Sequence, residues 1–231
     1  MIILCNGMPR SASTWSYNVC LRLLSVEFSA CSIYAGYNEE FFGCVNQLGA
    51  NYRHLLLTTH TLDDVSRRML QLGACKAIYT YRDPFDAIAS YMRMFNQAFE
   101  AALSAIRRSF DLYKLHEQSG SCIVSYESVV HSPLKAVGRV KGYLGLNASE
   151  GLLVRIADET GLAAMRNIAD RLETAPPESF DGVDGLLYDR RTLLHKNHIR
   201  DGSSGYGRGM LSAGQQRIIE ETFPGWIMQA R

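Results

Sequence analysis

The chain has 231 residues, and its 24 lysines and arginines nearly balance its 23 aspartates and glutamates, which leaves a net charge of +1. This balance excludes a polybasic protein that binds nucleic acid through bulk charge, and a hydrophobic content of 47% excludes a disordered polyelectrolyte. A chain of this length can bury a full hydrophobic core, and we expect one domain over residues 1–231.

The alternation of strand-like and helix-like segments predicts the fold class. Strands are predicted at 1–6, 53–59, 75–81 and 122–126. Helices are predicted at 13–28, 63–72, from Asp83 and Pro84 onward, at 133–144 and 149–172, and from Ser212 with a capping box to Gln215. This order predicts an α/β fold with a single doubly wound parallel sheet flanked by helices, like that of P-loop NTPases. Residues 174–211, rich in glycine and proline, are predicted to form a lid-like segment.

The cysteines and the absence of a long apolar run predict the cellular setting. The six cysteines form no C-x-x-C pair and have mostly apolar neighbours, which predicts buried thiols in a reducing compartment. No run approaches the roughly 20 apolar residues of a membrane span, and no signal-peptide pattern is present. We therefore expect a cytoplasmic protein with no membrane span, no metal site and no nucleic-acid partner.

The first predicted strand runs into a loop with the setting of a phosphate-binding loop. Gly7 opens it, four residues intervene, and Ala12-Ser13-Thr14 stands where a P-loop has Gly-Lys-Ser/Thr. Backbone N–H groups at the start of the next helix would point at an anion. Ser13 replaces the lysine that contacts a nucleoside triphosphate, and the nearby cation is Arg10. The loop thus predicts a site for a phosphate-like group rather than for a nucleoside triphosphate.

A second basic residue stands at the end of another predicted strand. Arg82 lies at the carboxyl end of its strand, where ligands bind in open α/β sheets. Ser90 follows about two helical turns later, so a guanidinium and a hydroxyl can share one phosphate. Local pairing of Arg82 with Asp83 or Asp86 is the alternative.

Together these segments resemble the signatures of the sulfotransferase family, which uses 3′-phosphoadenosine 5′-phosphosulfate (PAPS). Residues 9–15 (PRSASTW) resemble its P-K-S-G-T-T-W signature. Residues 82–90 (RDPFDAIAS) match R-[ND]-P-x-D-x-x-x-S at every fixed position, and residues 200–205 (RDGSSG) resemble R-K-G-x-x-G. The order and spacing follow the family over nearly the whole chain, so the resemblance implies a PAPS-dependent sulfotransferase.

The resemblance also implies a role for each matching position. The loop residues would hold the 5′-phosphosulfate, with Arg10 at the leaving oxygen as a catalytic group: they are Arg10, Ser11, Ala12, Ser13 and Thr14. Trp15 and Tyr126 would lie at the adenine. The third and second signatures would bind the 3′-phosphate through Arg82, Ser90, Arg200 and Gly202, with Asp201 between the last two. No step of this chemistry requires a metal ion.

Four residues depart from the family pattern. Arg10 replaces a lysine, which keeps the charge but changes the hydrogen-bonding geometry. Ala12 replaces a glycine, so the backbone there must accept a Cβ. Asp201 and Thr58 each stand where the family has a lysine, which removes positive charge from the expected site.

An acceptor hydroxyl needs a general base, and His60 is the first candidate. It follows the strand at 53–59 and so shares a sheet edge with the loop and Arg82, and an imidazole suits this role near neutral pH. A histidine stands at the matching place in the cytosolic sulfotransferases. Glu39 and Glu40, in a segment that resembles K-E-x-x-F-F of the carbohydrate-type enzymes, are the rival bases.

The acceptor is expected to be a small molecule with a hydroxyl or an amine. Aromatic residues in the segments that line the family's acceptor site favour an apolar pocket: Tyr34, Tyr37, Phe41, Phe42, Tyr91, Phe95 and Phe99. Two alternative functions stay open at this point. They are a P-loop kinase or other nucleotide-phosphate transferase, and a non-catalytic nucleotide-binding protein on the same fold. The sequence leaves the oligomeric state open.

Overall fold

A computed structural model describes residues 1–28, 33–37, 52–174, 176, 179–183, 186–195, 199 and 202–226. The strands of the main sheet are β1 (Ile2–Gly7), β2 (Ile33–Tyr37), β3 (His54–Thr59), β4 (Lys76–Tyr81) and β5 (Cys122–Ser125). The helices before the lid-like segment are α1 (Ser13–Glu27), α2 (Asp64–Gln71), α3 (Pro84–Phe95), α4 (Phe99–Gln118), α5 (Tyr126–His131), α6 (Pro133–Leu144), α7 (Glu150–Glu159) and α8 (Leu162–Asp170). A short 3₁₀ turn covers Leu172–Thr174, and β6 (Phe180–Val183), β7 (Leu186–Asp189), α9 (Gly207–Met210) and α10 (Ala213–Thr222) follow.

The five main strands form one parallel sheet in the order β2-β3-β1-β4-β5. The register places Asn6 beside Thr59 of β3, and Gly7 beside Thr80 of β4. The carboxyl ends of three adjacent strands therefore meet at one edge of the sheet. The loop after β1, His60 after β3 and Arg82 after β4 converge there, as expected for a ligand site in an open α/β sheet.

Helices cover both faces of the sheet, each over its own apolar core. Successive β1 residues alternate between the two cores: Leu4 belongs to one, and Ile3 and Cys5 to the other. Helices α3 and α4 cover the first core, and α1 and α6 cover the second. Burial on both faces explains why β1 reads as a continuous apolar run, and it confirms the predicted doubly wound sheet.

The structure corrects several of the predicted elements. The long helix predicted from Asp83 is two helices, α3 and α4, because Asn96 ends α3 in a left-handed conformation. Strand β2 was not predicted: it is a short edge strand that contains Gly36, and so it carries a weak signal. The predicted second strand at 53–59 is therefore the third in chain order. The predicted helix 149–172 is two helices, because Gly161 serves as the N-cap of α8. Tyr126, predicted as the end of a strand, begins α5, which Ser125 caps by accepting from the Ser128 amide.

The lid-like segment 174–211 contains regular structure that its composition did not predict. Strands β6 and β7 pair as an antiparallel hairpin, and His195 forms a further antiparallel bridge to Tyr188. The segment ends in the short helix α9. The next helix starts as predicted, since Ser212 and Gln215 form a reciprocal capping box at α10.

Four cysteines match the expectation of buried thiols. Cys5, Cys20, Cys75 and Cys122 are buried and free, and burial raises the pKa of the Cys75 thiol to about 11. Cys31 and Cys44 lie outside the described residues. Among the residues that the structure describes, no helix is long and apolar enough to cross a bilayer.

Candidate active site

A cavity of about 510 Å³ opens at the carboxyl edge of the sheet. It brings together residues from all the described signature segments. The predicted site residues in its wall are Arg10, Ala12, Ser13, Thr14, Trp15, His60, Arg82, Ser90 and Tyr126. Gly202 lies beside the wall residue Ser203, whereas Arg200, Asp201 and the rival bases Glu39 and Glu40 lie outside the described residues.

The loop after β1 is held rigidly against β4. Its Met8 amide donates to the Thr80 carbonyl oxygen (2.9 Å), and the Ser11 hydroxyl lies 2.7 Å from both the Met8 carbonyl oxygen and the Thr80 hydroxyl. A Cβ at Gly7 would collide with the Thr80 hydroxyl, so only glycine fits there. Ser11 is fully buried beneath the loop and does not line the cavity. It therefore shapes the loop, and its predicted ligand role has no side-chain support.

The loop leaves the start of α1 without a side-chain cap. The N-cap residue Ala12 has φ 69° and ψ 35°, and it makes no side-chain cap hydrogen bond to the helix. Ala12 thus adopts the left-handed conformation that glycine accepts without strain. The backbone therefore keeps a glycine-like conformation although alanine replaces the family's glycine. The first-turn N–H groups lie in the wall of the cavity, where an anion would satisfy them.

Arg82 lies deep in the cavity wall and is held on several sides. It is 4% exposed; its Nη2 donates to the Ser203 carbonyl oxygen (2.6 Å) and pairs with Asp86 (3.4 Å). The Tyr126 ring packs on its guanidinium at 3.8 Å. The Arg82 Nε is buried and has no hydrogen-bond partner. A buried donor of this kind is costly unless it is satisfied, so this side chain fits an anionic ligand.

The carboxylate of Asp86 links α3 to the lid-like segment, a role that sequence reasoning missed. Its two oxygens accept from the Gly205 and Gly207 amides, both at 2.7 Å, besides pairing with Arg82. A Cβ at Gly207 would collide with the Phe85 carbonyl group, so this close approach requires glycine. The expected local pairing of Arg82 with Asp86 exists, but it is one part of a larger junction. The only sequence signal for this role of Asp86 is that it occupies the fixed Asp position of the second signature.

Arg10 extends away from the phosphate-binding loop. It has φ 69°, and its Nε donates to the Ser90 hydroxyl at 3.1 Å. Burial, and then the positive charge of Arg82, lower the pKa of Arg10 to about 10. The resemblance placed Arg10 at the leaving oxygen and Ser90 at the 3′-phosphate; the structure joins the two side chains directly. The catalytic role of Arg10 stays a prediction.

His60 stands at the mouth of the cavity, immediately after β3. Its Nδ1 lies 3.2 Å from the Gly7 carbonyl oxygen. A carbonyl oxygen can only accept, so this contact assigns the proton to Nδ1 and the lone pair to Nε2 in the neutral imidazole. The flanking backbone is also fixed, because the Thr59 hydroxyl bonds to both the N–H and the carbonyl of Thr61.

A buried polar pair lies behind the strand that carries His60. The Asn6 amide nitrogen donates to the Thr59 carbonyl oxygen (2.7 Å), and the Asn6 Oδ1 faces His116 Nε2 at 3.2 Å. His116 Nδ1 lies 2.9 Å from the Ser121 hydroxyl. Burial lowers the pKa of His116 to about 3, so the ring is neutral at physiological pH and its two nitrogens make one donated and one accepted bond. The pair anchors the backbone next to His60.

The cavity wall differs on the two sides of the loop. Toward α5, α7 and α8 the wall is mainly apolar. Sequence reasoning did not identify its residues, which are Val129, Val130, Thr160, Leu162, Met165 and Leu194. Toward α2, α3 and α4 it combines aromatic and charged side chains: Arg67, Tyr91, Phe95, Arg108 and Asp111. Of the predicted acceptor aromatics, Phe99 is instead buried in the core, and the Tyr37, Phe41 and Phe42 side chains lie outside the described part of the chain.

No group of three or more histidine, cysteine or acidic side chains that could hold a metal ion occurs among the described residues. The ligand that the site fits is an organic anion. The fit rests on the buried guanidinium of Arg82, the half-buried guanidinium of Arg10, a helix start without a side-chain cap, and two buried donors without partners, Arg82 Nε and Trp15 Nε1.

Comparison with known proteins agrees with this geometry. A family model described as a sulfotransferase domain matches residues 22–180, which is most of the chain. A sequence search of curated proteins finds no match. Among solved structures, mouse sulfotransferase SULT7A1 complexed with PAP (adenosine 3′,5′-bisphosphate) superposes with a TM-score of 0.68 at 16% identity. The superposition covers 96% of this chain and 82% of that one.

A second similar structure is retinol dehydratase. Its complex with androsterone and the inactive cofactor PAP has a TM-score of 0.62 at 15% identity, over 96% of this chain and 79% of that one. Its complex with retinol and PAP has a TM-score of 0.63 at the same identity, with coverages of 96% and 80%. These likenesses establish the fold.

Proposed function

The chain belongs to the sulfotransferase family, and on this premise we propose that it transfers a sulfuryl group from PAPS to a hydroxyl or amine of a small-molecule acceptor. The observation that carries the proposal is the convergence, in one cavity, of a helix start without a side-chain cap, the buried Arg82 with the half-buried Arg10, and an exposed histidine with a defined tautomer. The similar solved structures contain PAP, the product of PAPS.

The described residues can hold each end of such a cofactor. First-turn amides of α1, with the Ser13 and Thr14 hydroxyls, would bind the 5′-phosphosulfate. The unpartnered Arg82 Nε and the Ser90 hydroxyl would bind the 3′-phosphate. Trp15 would contact the adenine through its ring, and its unpartnered Nε1 is a further donor. Tyr126 packs one face of its ring on Arg82, so its predicted contact with the adenine would come from the rest of the ring.

His60 is the proposed general base. When bound, the cofactor supplies the sulfuryl group, and the acceptor atom attacks sulfur while the bond from sulfur to the 5′-phosphate oxygen breaks and leaves its electrons on that oxygen. His60 Nε2 would take the acceptor proton as the new bond forms, because Nδ1 keeps its own proton on the Gly7 carbonyl oxygen. The loop amides would stabilise the negative charge that develops on the leaving phosphate.

The acceptor would enter beside His60, between α2 and α4. The Tyr91 and Phe95 rings, 4.7 Å apart, offer an apolar surface there. Arg67, fixed by its Nε on the Leu62 carbonyl oxygen, and Asp111 add charges of both signs. We therefore propose an acceptor with an aromatic or apolar body that also carries polar groups, rather than a purely lipid-like one.

The test is binding first and turnover second. Thermal unfolding is compared with adenosine 3′,5′-bisphosphate (PAP) and with Mg²⁺-ATP; a ligand at 100 times its dissociation constant adds about 2.7 kcal/mol to the free energy of unfolding. We expect a shift with PAP alone. A shift with Mg²⁺-ATP alone would support the kinase alternative and contradict the proposal.

The role of His60 is then tested by transfer of labelled sulfate from PAPS to a panel of phenols, alcohols and amines. His60→Ala should abolish turnover and leave PAP affinity unchanged, because the side chain is exposed and lies beside the acceptor. His131→Ala, an exposed histidine at the end of α5, is the matched control and should keep wild-type turnover. Full activity of His60→Ala would contradict the assignment of His60 as the base, and Glu39 and Glu40 would be substituted next.

A further inference from the structure

Asn6 is a fully buried polar residue near the end of the otherwise apolar strand β1. It lies in the centre of a parallel sheet, where apolar side chains are the rule. A buried amide is costly unless its donor and its acceptor are both satisfied. Here Nδ2 donates to the Thr59 carbonyl oxygen at 2.7 Å, and Oδ1 faces His116 Nε2 at 3.2 Å. The side chain therefore connects the residue before His60 to helix α4.

The hydrogen bonds around His116 have one consistent direction. Because Nδ2 of Asn6 donates, its Oδ1 accepts, and the proton of the neutral His116 ring is on Nε2. Nδ1 of His116 then accepts from the Ser121 hydroxyl at 2.9 Å. The Tyr79 ring packs on the imidazole with a centroid distance of 4.7 Å. The ring that orients the Asn6 amide is thus itself held in place.

Asn6 reaches His60 through both its side chain and its backbone. The Thr59 carbonyl group, which accepts from the Asn6 side chain, lies in the same planar peptide unit as the His60 N–H. The residue after Asn6 is Gly7, whose carbonyl oxygen lies 3.2 Å from His60 Nδ1. The sheet register pairs Asn6 with Thr59, so both contacts arise at one rung of the sheet. One residue therefore holds both partners of the hydrogen bond that defines the His60 tautomer.

We propose that Asn6, oriented by His116, is a positioning residue that holds His60 with its Nδ1 proton on the Gly7 carbonyl oxygen and its lone pair on Nε2. Asn6 does not line the cavity, so it acts through His60 and not on the cofactor or the acceptor. The proposal rests on the proposed function for the role of His60 as base. The tautomer that Asn6 sets can be measured independently of that role.

The first measurement is the tautomer of His60. Long-range proton–nitrogen correlation spectra of protein with isotope-labelled histidine distinguish the two ring nitrogens, and His60→Ala identifies the His60 signals. At a pH where the ring is neutral, we expect the wild type to hold the proton on Nδ1. Asn6→Ala removes the bond to the Thr59 carbonyl oxygen and should give a mixture of both tautomers. A wild-type spectrum with the proton on Nε2, or an unchanged spectrum in Asn6→Ala, would overturn the proposal.

The second measurement is turnover. Asn6→Ala should lower kcat about ten- to hundredfold, the cost of misplacing a catalytic group by about 1 Å, and leave the acceptor KM and the PAP affinity within about threefold. A loss of PAP affinity as large as the loss of kcat would place the effect in the phosphate-binding loop. That outcome would also overturn the proposal, because Asn6 would then act on the cofactor and not on His60.

Tyr79→Phe is the matched control for the loss of a buried hydrogen bond. It removes the bond from the Tyr79 hydroxyl to the Ser109 carbonyl oxygen (2.6 Å) on the strand next to Asn6, and it keeps the ring against His116. We expect lower stability with unchanged kcat and an unchanged His60 tautomer. A loss of kcat equal to that of Asn6→Ala would mean that lost stability, not the position of His60, is responsible.

Two variants of His116 test the hydrogen bonds from their other end and decide the question if Asn6→Ala does not fold. His116→Gln can keep a donor near the Nε2 position and should retain most of the wild-type kcat. His116→Phe keeps a ring against Tyr79 but no donor, and should lower kcat and mix the His60 tautomers. Equal kcat in the two variants would contradict the proposal. If the wild type transfers no sulfate from PAPS, the proposed function fails, while the spectra still decide whether Asn6 sets the tautomer.

Discussion

Helices α1 and α3 start side by side at the same edge of the sheet, yet their first turns are finished in opposite ways. At α3 the Asp83 side chain accepts from the Phe85 and Asp86 amides, and Pro84 fills the first position. At α1 the N-cap is Ala12, in a left-handed conformation and without any side-chain bond to the helix. Both helices follow buried central strands, so position in the fold does not explain the difference.

This contrast indicates which helix start requires a ligand. A helix start leaves four N–H groups without internal partners, and natural helices satisfy them with caps, water or a bound anion. The start of α3 is satisfied by the chain itself and serves as a structural junction. The start of α1 has its donors in the cavity wall and accepts backbone strain at Ala12, which fits a site that a phosphate group completes.

We expect the largest change in stability from Asp86→Ala, in the first turn of α3. The substitution removes the acceptor of the Gly205 and Gly207 amides and leaves the Arg82 charge buried without its pair. We expect the free energy of unfolding to fall by about 3–5 kcal/mol in urea titrations. Asp158→Ala, at an exposed position of α7, is the control and should change it by less than about 0.5 kcal/mol. Equal losses of stability in the two variants would contradict a stabilising role of Asp86 in joining α3 to the lid-like segment.

The helix start without a side-chain cap, that of α1, is tested by introducing a carboxylate. Ala12→Asp places a negative charge where we expect the 5′-phosphate, so PAP binding should weaken by about 2–4 kcal/mol at partly buried dielectric values. Ala12→Asn, nearly identical in shape but neutral, should keep most of the affinity. The two affinities are measured by calorimetry. Equal binding by the two variants would mean that no anion sits at this helix start.

The smallest expected effect concerns the cap of α3 alone. Asp83→Ala removes the side-chain acceptor of two first-turn amides and should lower the free energy of unfolding by about 0.5–2 kcal/mol. Asp83→Asn keeps a capping oxygen and should recover most of this loss in the same urea titration. A loss in Asp83→Asn as large as in Asp83→Ala would show that the negative charge, not the hydrogen bonds, is what α3 requires.

Much of the fold could be predicted because local rules act within each segment. The continuous apolar run of β1, the Asp83-Pro84 start of α3 and the capping box at Ser212 all express short-range chemistry that neighbours in sequence decide. Strand β2 was not predicted, because an edge strand is stabilised by its single neighbour, β3, rather than by its own pattern. The hairpin of β6 and β7 was not predicted for the same reason.

The candidate site likewise combines features that local sequence predicts with features that depend on packing. The meeting of the segments after β1, β3 and β4 could be predicted, because parallel strands bring them to one edge of the sheet and the signatures mark those segments. The contacts that each side chain makes there could be seen only in the folded structure. Four hydrogen bonds of the site join residues that are 53 to 121 positions apart in the sequence. They link Arg10 to Ser90, Asp86 to Gly205 and Gly207, and His60 to Gly7. Directions and distances of that kind depend on packing, which no local sequence rule contains.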